Sequence, residues 1–179
     1  MITLKKFKIV LFLLLIVGCA PIRKYADSDY KKINDISKIE GQYENYSVNS
    51  ENKNYNSFYE IINWRKKQSD STKFSTVNVK VLNKKLLRFS FTNSTGNKKD
   101  INVKYKIVEN GFVALKNRNF KLTGLPYIFG GYQINKVELG LTNQNQLILN
   151  GTKIDEGAIL IIMPASMPKT NYTCKFERN

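Results

Sequence analysis

The chain has 179 residues, with 29 lysines and arginines against 14 aspartates and glutamates, a formal net charge of +15 and no histidine. The missing histidine removes the commonest general base, the usual zinc ligand and the usual nucleophile triads together. The cations are 24 lysines and only five arginines, beside 21 asparagines. They are scattered in ones and twos, the pattern of solvated positions drifting with AT-rich codons and not of a patch that displaces counterions from phosphates. No nucleic-acid partner is expected.

The first 18 residues read as a targeting segment. Lys5, Lys6 and Lys8 form a positive start, and Ile9 to Val17 is an uninterrupted apolar run, long enough for a signal peptide and too short to span a bilayer. Ile16-Val17-Gly18-Cys19 then follows, and this tetrapeptide resembles the lipobox of bacterial lipoproteins. The resemblance implies cleavage before Cys19, a diacylglyceryl group on its thiol and an acylated new N-terminus. Two or three acyl chains anchor stably where one would be marginal. Ala20 stands where an inner-membrane retention signal would have Asp, so the outer membrane is the expected site. Cleavage removes three lysines and no carboxylate, leaving a chain of about +12 that is attracted to anionic head groups. The expected organisation is a signal peptide over 1–18, a lipid-anchored tether over 19–40 and one β-barrel-like domain over 41–179.

Along the tether, Tyr30, Ile33, Ile36 and Ile39 recur at threes, which permits a short helix. Gly41-Gln42-Tyr43 opens a first strand, followed by an open Asn/Ser/Lys/Tyr-rich loop. Ser57-Phe58-Tyr59-Glu60 has the spacing of a capping box, and Phe58, Ile61 and Ile62 follow at helical intervals. One short helix is predicted near 57–66, with the only tryptophan, Trp64, capping the barrel end.

From residue 74 the period becomes two. Val77, Val79 and Val81, then Leu87, Phe89 and Phe91, then Val103, Tyr105 and Ile107 alternate with polar residues, predicting half-buried antiparallel strands. Asn83-Lys84, the stretch around Gly96 and Asn110-Gly111 supply the turns. Further strands are predicted at 112–116, 119–123, 127–133, 136–142, 146–150, 158–163 and 171–177, with Asn150-Gly151 as another turn. In the last strand Tyr172, Cys174 and Phe176 share a face. With Cys19 lipidated, Cys174 has no disulfide partner and reads as a buried, inert thiol. The fold class is mainly β: an antiparallel meander closing into a small barrel, which removes exposed edges.

A signal, an early Gly41-x-Tyr43, a run of antiparallel strands and Arg178 near the last strand resemble the lipocalin or calycin plan. That resemblance places Gly41 and Tyr43 where the family has Gly-x-Trp, and Arg178 where its arginine packs over the ring. The sequence departs from it in lacking the tryptophan and in carrying its helix early. The pattern is also similar to barrel-forming lipoproteins of Bacteroidota.

No residue set announces catalysis, and neither a metal nor a cofactor is expected. Asp155-Glu156 reads as a solvated turn, since neighbouring residues point to different sides. Gly130-Gly131 reads as a bulge or bend in a strand, because no helix follows to make a phosphate cradle. Two non-enzymatic functions are therefore expected. One is an interaction or scaffold module for an envelope protein or glycan, its ten tyrosines supplying an adhesive surface. The other is a carrier of a small apolar ligand, with Val79, Leu87, Phe89, Val103, Tyr105, Val137 and Leu139 either lining a cavity or filling it.

Overall fold

The computed structural model describes residues 29–50, 55–65, 73–108, 110–117, 119–125, 129–159, 163–166 and 169–179. The lipobox residues Ile16, Val17, Gly18 and Cys19 lie outside the described residues.

The period-two segments form strands, and within the described residues there are twelve: β1 (Tyr30–Lys31), β2 (Gly41–Glu44), β3 (Asn49–Ser50), β4 (Phe74–Asn83), β5 (Leu86–Asn93), β6 (Lys98–Ile107), β7 (Val113–Lys116), β8 (Phe120–Leu125), β9 (Phe129–Thr142), β10 (Leu147–Ile159), β11 (Met163–Ser166) and β12 (Thr170–Phe176). Among the described residues a 3₁₀ turn spans Ile36–Ile39, and one short α-helix, α1, spans Phe58–Ile62. The strands form one antiparallel sheet in the order β2-β4-β5-β6-β7-β9-β10-β12-β3, with β1 and β8 on β9 and β11 on β10. The sheet curls into a half-barrel. Its two ends are drawn together where the Glu44 N–H donates to the Glu177 carbonyl at 2.9 Å and the Asn179 N–H to the Gln42 carbonyl at 3.0 Å. Tyr43 and Arg178 are bridged between them.

This seam depends on three residues that the sequence singles out. Tyr43 is fully buried and its hydroxyl donates to the Ile39 carbonyl at 3.0 Å; burial pushes the phenol above its ordinary pKa. The Arg178 guanidinium lies 5.7 Å from the Tyr43 ring centroid and donates to the Lys38 and Glu40 carbonyls, so one side chain ties the C-terminus to the 3₁₀ turn. Gly41 has φ +152°, and a Cβ there would meet Arg178 Nε at 2.9 Å. Only glycine lets the guanidinium lie this close to the backbone.

Residues 29–40, expected as part of a tether, are docked. β1 pairs with the end of β9, the Ile33 N–H donates to the Gly111 carbonyl at 3.2 Å, and Ile33 and Ile39 are buried. The spacing of isoleucines at threes serves this packing, with a single 3₁₀ turn in place of a longer helix. The N-terminal segment thus covers the end of the half-barrel that also carries the β4–β5, β6–β7 and β9–β10 turns. Gly111, in the β6–β7 turn, has φ +82°, as expected of Asn110-Gly111.

At the opposite end sits α1. The Ser57 Oγ accepts from the Glu60 N–H as the capping pattern predicts. The helix ends at Ile62, short of the predicted 66, because Asn63 leaves the helical conformation and its side chain donates to the Tyr59 hydroxyl at 2.9 Å. Buried Asn45 docks α1 onto the sheet: its amide donates to Ser57 Oγ at 3.1 Å and the Phe74 carbonyl at 3.0 Å, and its oxygen accepts from the Tyr59 N–H at 2.9 Å. Nothing in the sequence pattern marked Asn45.

Three expectations are corrected. Asn150-Gly151 is not a turn; both residues lie inside β10, where Gly151 faces Tyr172 of β12. Gly130-Gly131 is neither bulge nor bend, since the β9–β10 register runs without a slip from Leu147↔Leu141 to Ile159↔Phe129. Asp155-Glu156 likewise lies in β10 and not in a turn. The predicted strands 127–133 and 136–142 are therefore one strand, and 146–150 runs on into the start of 158–163.

Candidate functional site

The unbroken register has a consequence for polarity. Along β9 and β10, Leu147, Leu149, Gly151, Lys153 and Asp155 face Leu141, Leu139, Val137, Asn135 and Gln133 on the inner side of the sheet. The inner face is therefore apolar through the middle of the half-barrel and turns polar beyond Gly151. The outer face changes in the opposite sense. Where β8, β9 and β10 extend past the barrel, Phe120 pairs with Ile134 and Leu122 with Tyr132, and Phe120 and Leu122 are 52% and 54% exposed. This extension, the arm, has a wet inner face and an apolar outer one.

The seven expected cavity-wall residues all point inward. Val79, Leu87, Phe89, Val103, Tyr105, Val137 and Leu139 are between 0% and 6% exposed and belong to one packed cluster. Phe58 of α1 enters that cluster, its ring centroid 5.4 Å from Phe89, 6.0 Å from Phe91 and 5.1 Å from Phe176. These side chains fill the middle of the half-barrel.

A cavity of about 340 Å³ lies instead at the mouth, between α1 and the polar stretch of β9 and β10, lined by Tyr55, Glu60, Ile61, Trp64, Gln133, Asn135 and Lys153. Trp64 stands at this end as expected, though as a wall of the cavity. Tyr172, 1% exposed, backs two of the lining residues: its ring stacks on Tyr55 at 4.2 Å and 3°, and its hydroxyl donates to Asn135 Oδ1 at 2.8 Å. Burial pushes the Tyr172 phenol far above its ordinary value, so it remains a neutral donor. Cys174, beside it, is buried as predicted, and its thiol donates to the Tyr55 carbonyl at 2.6 Å.

Lys153 Nζ lies 2.9 Å from Asp155 Oδ2. Burial alone would lower the ammonium pKa, but the Asp155 carboxylate and the Tyr55 hydroxyl beside it leave it raised, so it stays charged. On the arm's outer face Tyr132 donates to the Glu156 carboxylate, which, with some burial, pushes the phenol pKa up to about 12. Its ring stacks on Phe120 at 5.9 Å, and the Arg65 guanidinium donates to the Phe120 carbonyl, tying the end of α1 to the arm.

Among the described residues no group of three or more His, Cys, Asp or Glu side chains could hold a metal. The adjacent carboxylates Asp155 and Glu156 point to opposite faces of β10. Of the cavity lining, Glu60, Ile61 and Trp64 stand out in the sequence, as parts of the helix segment; Gln133, Asn135 and Lys153 fall where the apolar alternation of β9 and β10 changes phase, which reads as a strand break and is in fact a polar site. No protein-family model, curated protein or solved structure matches the chain.

Proposed function

We propose that this chain is a lipid-anchored protein of the bacterial envelope, probing its surroundings through the arm as a non-catalytic interaction module for an envelope protein. The observation that carries the reading is the inverted polarity of the arm, which leaves Phe120 and Leu122 more than half exposed beside Tyr132 and Ile134. An apolar strand face left this exposed among the described residues is the usual mark of a protein contact. The lipobox Ile16 to Cys19 supports the anchor, and the outer membrane remains the site its Ala20 favours. Gly41-x-Tyr43 beneath Arg178 supports the calycin-like resemblance. Asp29 and β1 dock at the turn end of β9, whereas the arm is built from its other end, so the first described residues and the contact face lie at opposite ends of the longest strands.

The carrier reading has less behind it, because Phe58 occupies the middle of the apolar interior. The test is the size of the detergent-extracted complex on a native gel. Wild-type protein is expected to run as a complex larger than one chain, and the double variant Phe120→Ser, Leu122→Ser as the single chain with unchanged melting. Equal mobility of the two proteins would overturn the reading.

A further inference from the structure

The mouth cavity is bordered by buried polar atoms that have no hydrogen-bond partner. Among the described residues these include Trp64 Nε1, Asn117 Oδ1, Asn119 Oδ1 and Asp155 Oδ1. Only the first belongs to a residue that lines the cavity; the other three belong to residues bonded to its framework. Trp64 lines it, Asp155 holds Lys153, the Asn119 carbonyl accepts from the Asn135 N–H at 2.9 Å, and the Asn117 amide donates to the Ile62 carbonyl at 3.4 Å. Buried polar groups in native proteins are nearly always satisfied. On the cavity wall itself the unpartnered indole N–H stands with the Gln133 amide and the Glu60 carboxylate, so the site suits a guest that both accepts and donates.

Charge and shape narrow the class. Lys153 is already engaged by Asp155, and Glu60 adds a second carboxylate to the wall, so an anion meets more repulsion than attraction. A hydrocarbon would leave the Gln133 and Asn135 amides unmet. A polyamine would face Lys153 and leave the indole N–H without an acceptor. A ring of hydroxyls supplies donors and acceptors in equal measure, and its C–H face suits an aromatic wall. That wall is present: Trp64 on one side, and Tyr55 held flat by its stack on Tyr172. The volume of about 340 Å³ is at the small end of the range for small-molecule pockets.

We propose that the mouth cavity binds a neutral saccharide of one or two pyranose rings, whether free or at the end of an envelope glycan. The Trp64 indole N–H and the Gln133 and Asn135 amides bond its hydroxyls, and Tyr55 and Trp64 pack against its C–H face. This site is independent of the arm's outer face.

Trp64 is the only tryptophan in the chain, so intrinsic fluorescence reports the site directly. Full-length protein in detergent is titrated with glucose, N-acetylglucosamine, maltose and chitobiose, and in parallel with glucuronate, decanoate and putrescine, each followed by both fluorescence and calorimetry. A saturable response to at least one neutral sugar is expected, weakened about tenfold in Gln133→Ala by the loss of a hydrogen bond to the sugar, with unchanged melting. Trp64→Leu should abolish the calorimetric signal. Co-sedimentation with purified peptidoglycan that free sugar competes away would identify the glycan source; sugar binding without it would identify the free one. Saturation by glucuronate, decanoate or putrescine alone, no saturation by any probe, or sugar affinity that survives both variants would overturn the proposal.

Discussion

Replacing Gly151 by alanine tests the packing beneath the mouth most sharply. Gly151 lies across from Tyr172 in the β10–β12 register, and the phenol ring rests directly on it: a Cβ would fall well inside 3.0 Å of Tyr172 Cζ, Cε2 and Oη. The ring cannot simply swing aside, because it is 1% exposed, stacked on Tyr55 and bonded to Asn135. Overpacking of this kind costs about 1–3 kcal/mol. Breaking the buried hydroxyl–amide bond adds about 1–3 kcal/mol, and disturbing the aromatic stack about 0.5–1.5 kcal/mol. Partial relaxation places the expected total at about 3–5 kcal/mol, a large share of the ~5–15 kcal/mol by which domains are stable. Urea unfolding followed by circular dichroism measures it, and a double-mutant cycle assigns it. In a Tyr172→Ala background, Gly151→Ala should cost less than about 1 kcal/mol, because the clashing ring is gone. A cost within about 0.5 kcal/mol of zero in the wild-type background, or the same cost in both, would refute the reasoning and restore Asn150-Gly151 as a tolerant turn.

Three further outcomes follow from the same geometry. Phe58→Ala should lose about 3–5 kcal/mol in a thermal or urea melt and leave a space at the centre that benzene binding partly restores; a loss below about 1 kcal/mol would mean that the ring does not fill the interior. Glu138, raised above its ordinary pKa chiefly by burial and only partly relieved by Asn110 and Lys136, holds its proton longer folded than unfolded, so its contribution to stability falls as pH rises through the window above the unfolded value of 4.5. Glu138→Gln should therefore raise the melting temperature at neutral pH, with the gain fading as pH falls through that window. Arg178→Ala should cost about 1–3 kcal/mol through the lost ring contact and the two carbonyls it serves, and Arg178→Lys should recover only part of that in the same melt, because an ammonium cannot reach both carbonyls from a flat position over Tyr43.

Much of the fold was legible because period-two alternation maps directly onto a one-sided sheet. Val77 and Val79, Leu87 to Phe91 and Val103 to Tyr105 are inward where the pattern puts them, and Gly111 turns where Asn110-Gly111 says it should. Gly41, Tyr43 and Arg178 meet at the seam of the sheet. What misled was the switch of phase between Ile134 and Val137 and again between Leu149 and Ile154. Sequence reads a switch as the end of a strand, since a strand with one dry face keeps one phase. Here the strands continue and the environment changes: the inner face turns from apolar at Leu139 and Leu149 to polar at Asn135 and Lys153, and the outer face from polar at Glu138 and Asn150 to apolar at Ile134 and Ile154. Gly151 deepened the error, because a glycine after asparagine signals a turn unless one knows that a tyrosine ring lies over it. The cavity was hidden for the same reason: Gln133, Asn135 and Lys153 come from two strands and look like ordinary solvated positions until the register aligns them. Asn45 was invisible because its three hydrogen bonds reach residues 12 to 29 positions away.

The most direct test of an anchored module working through its arm is photo-crosslinking in intact cells from a photoreactive residue at position 122. The account predicts a discrete adduct with an envelope protein from the wild-type chain, no such adduct from Cys19→Ser, and none when the reactive residue replaces Ile107, which is 43% exposed at the other end of the half-barrel. Equal crosslinking from positions 122 and 107, no adduct from 122, or an adduct that persists in Cys19→Ser would contradict it.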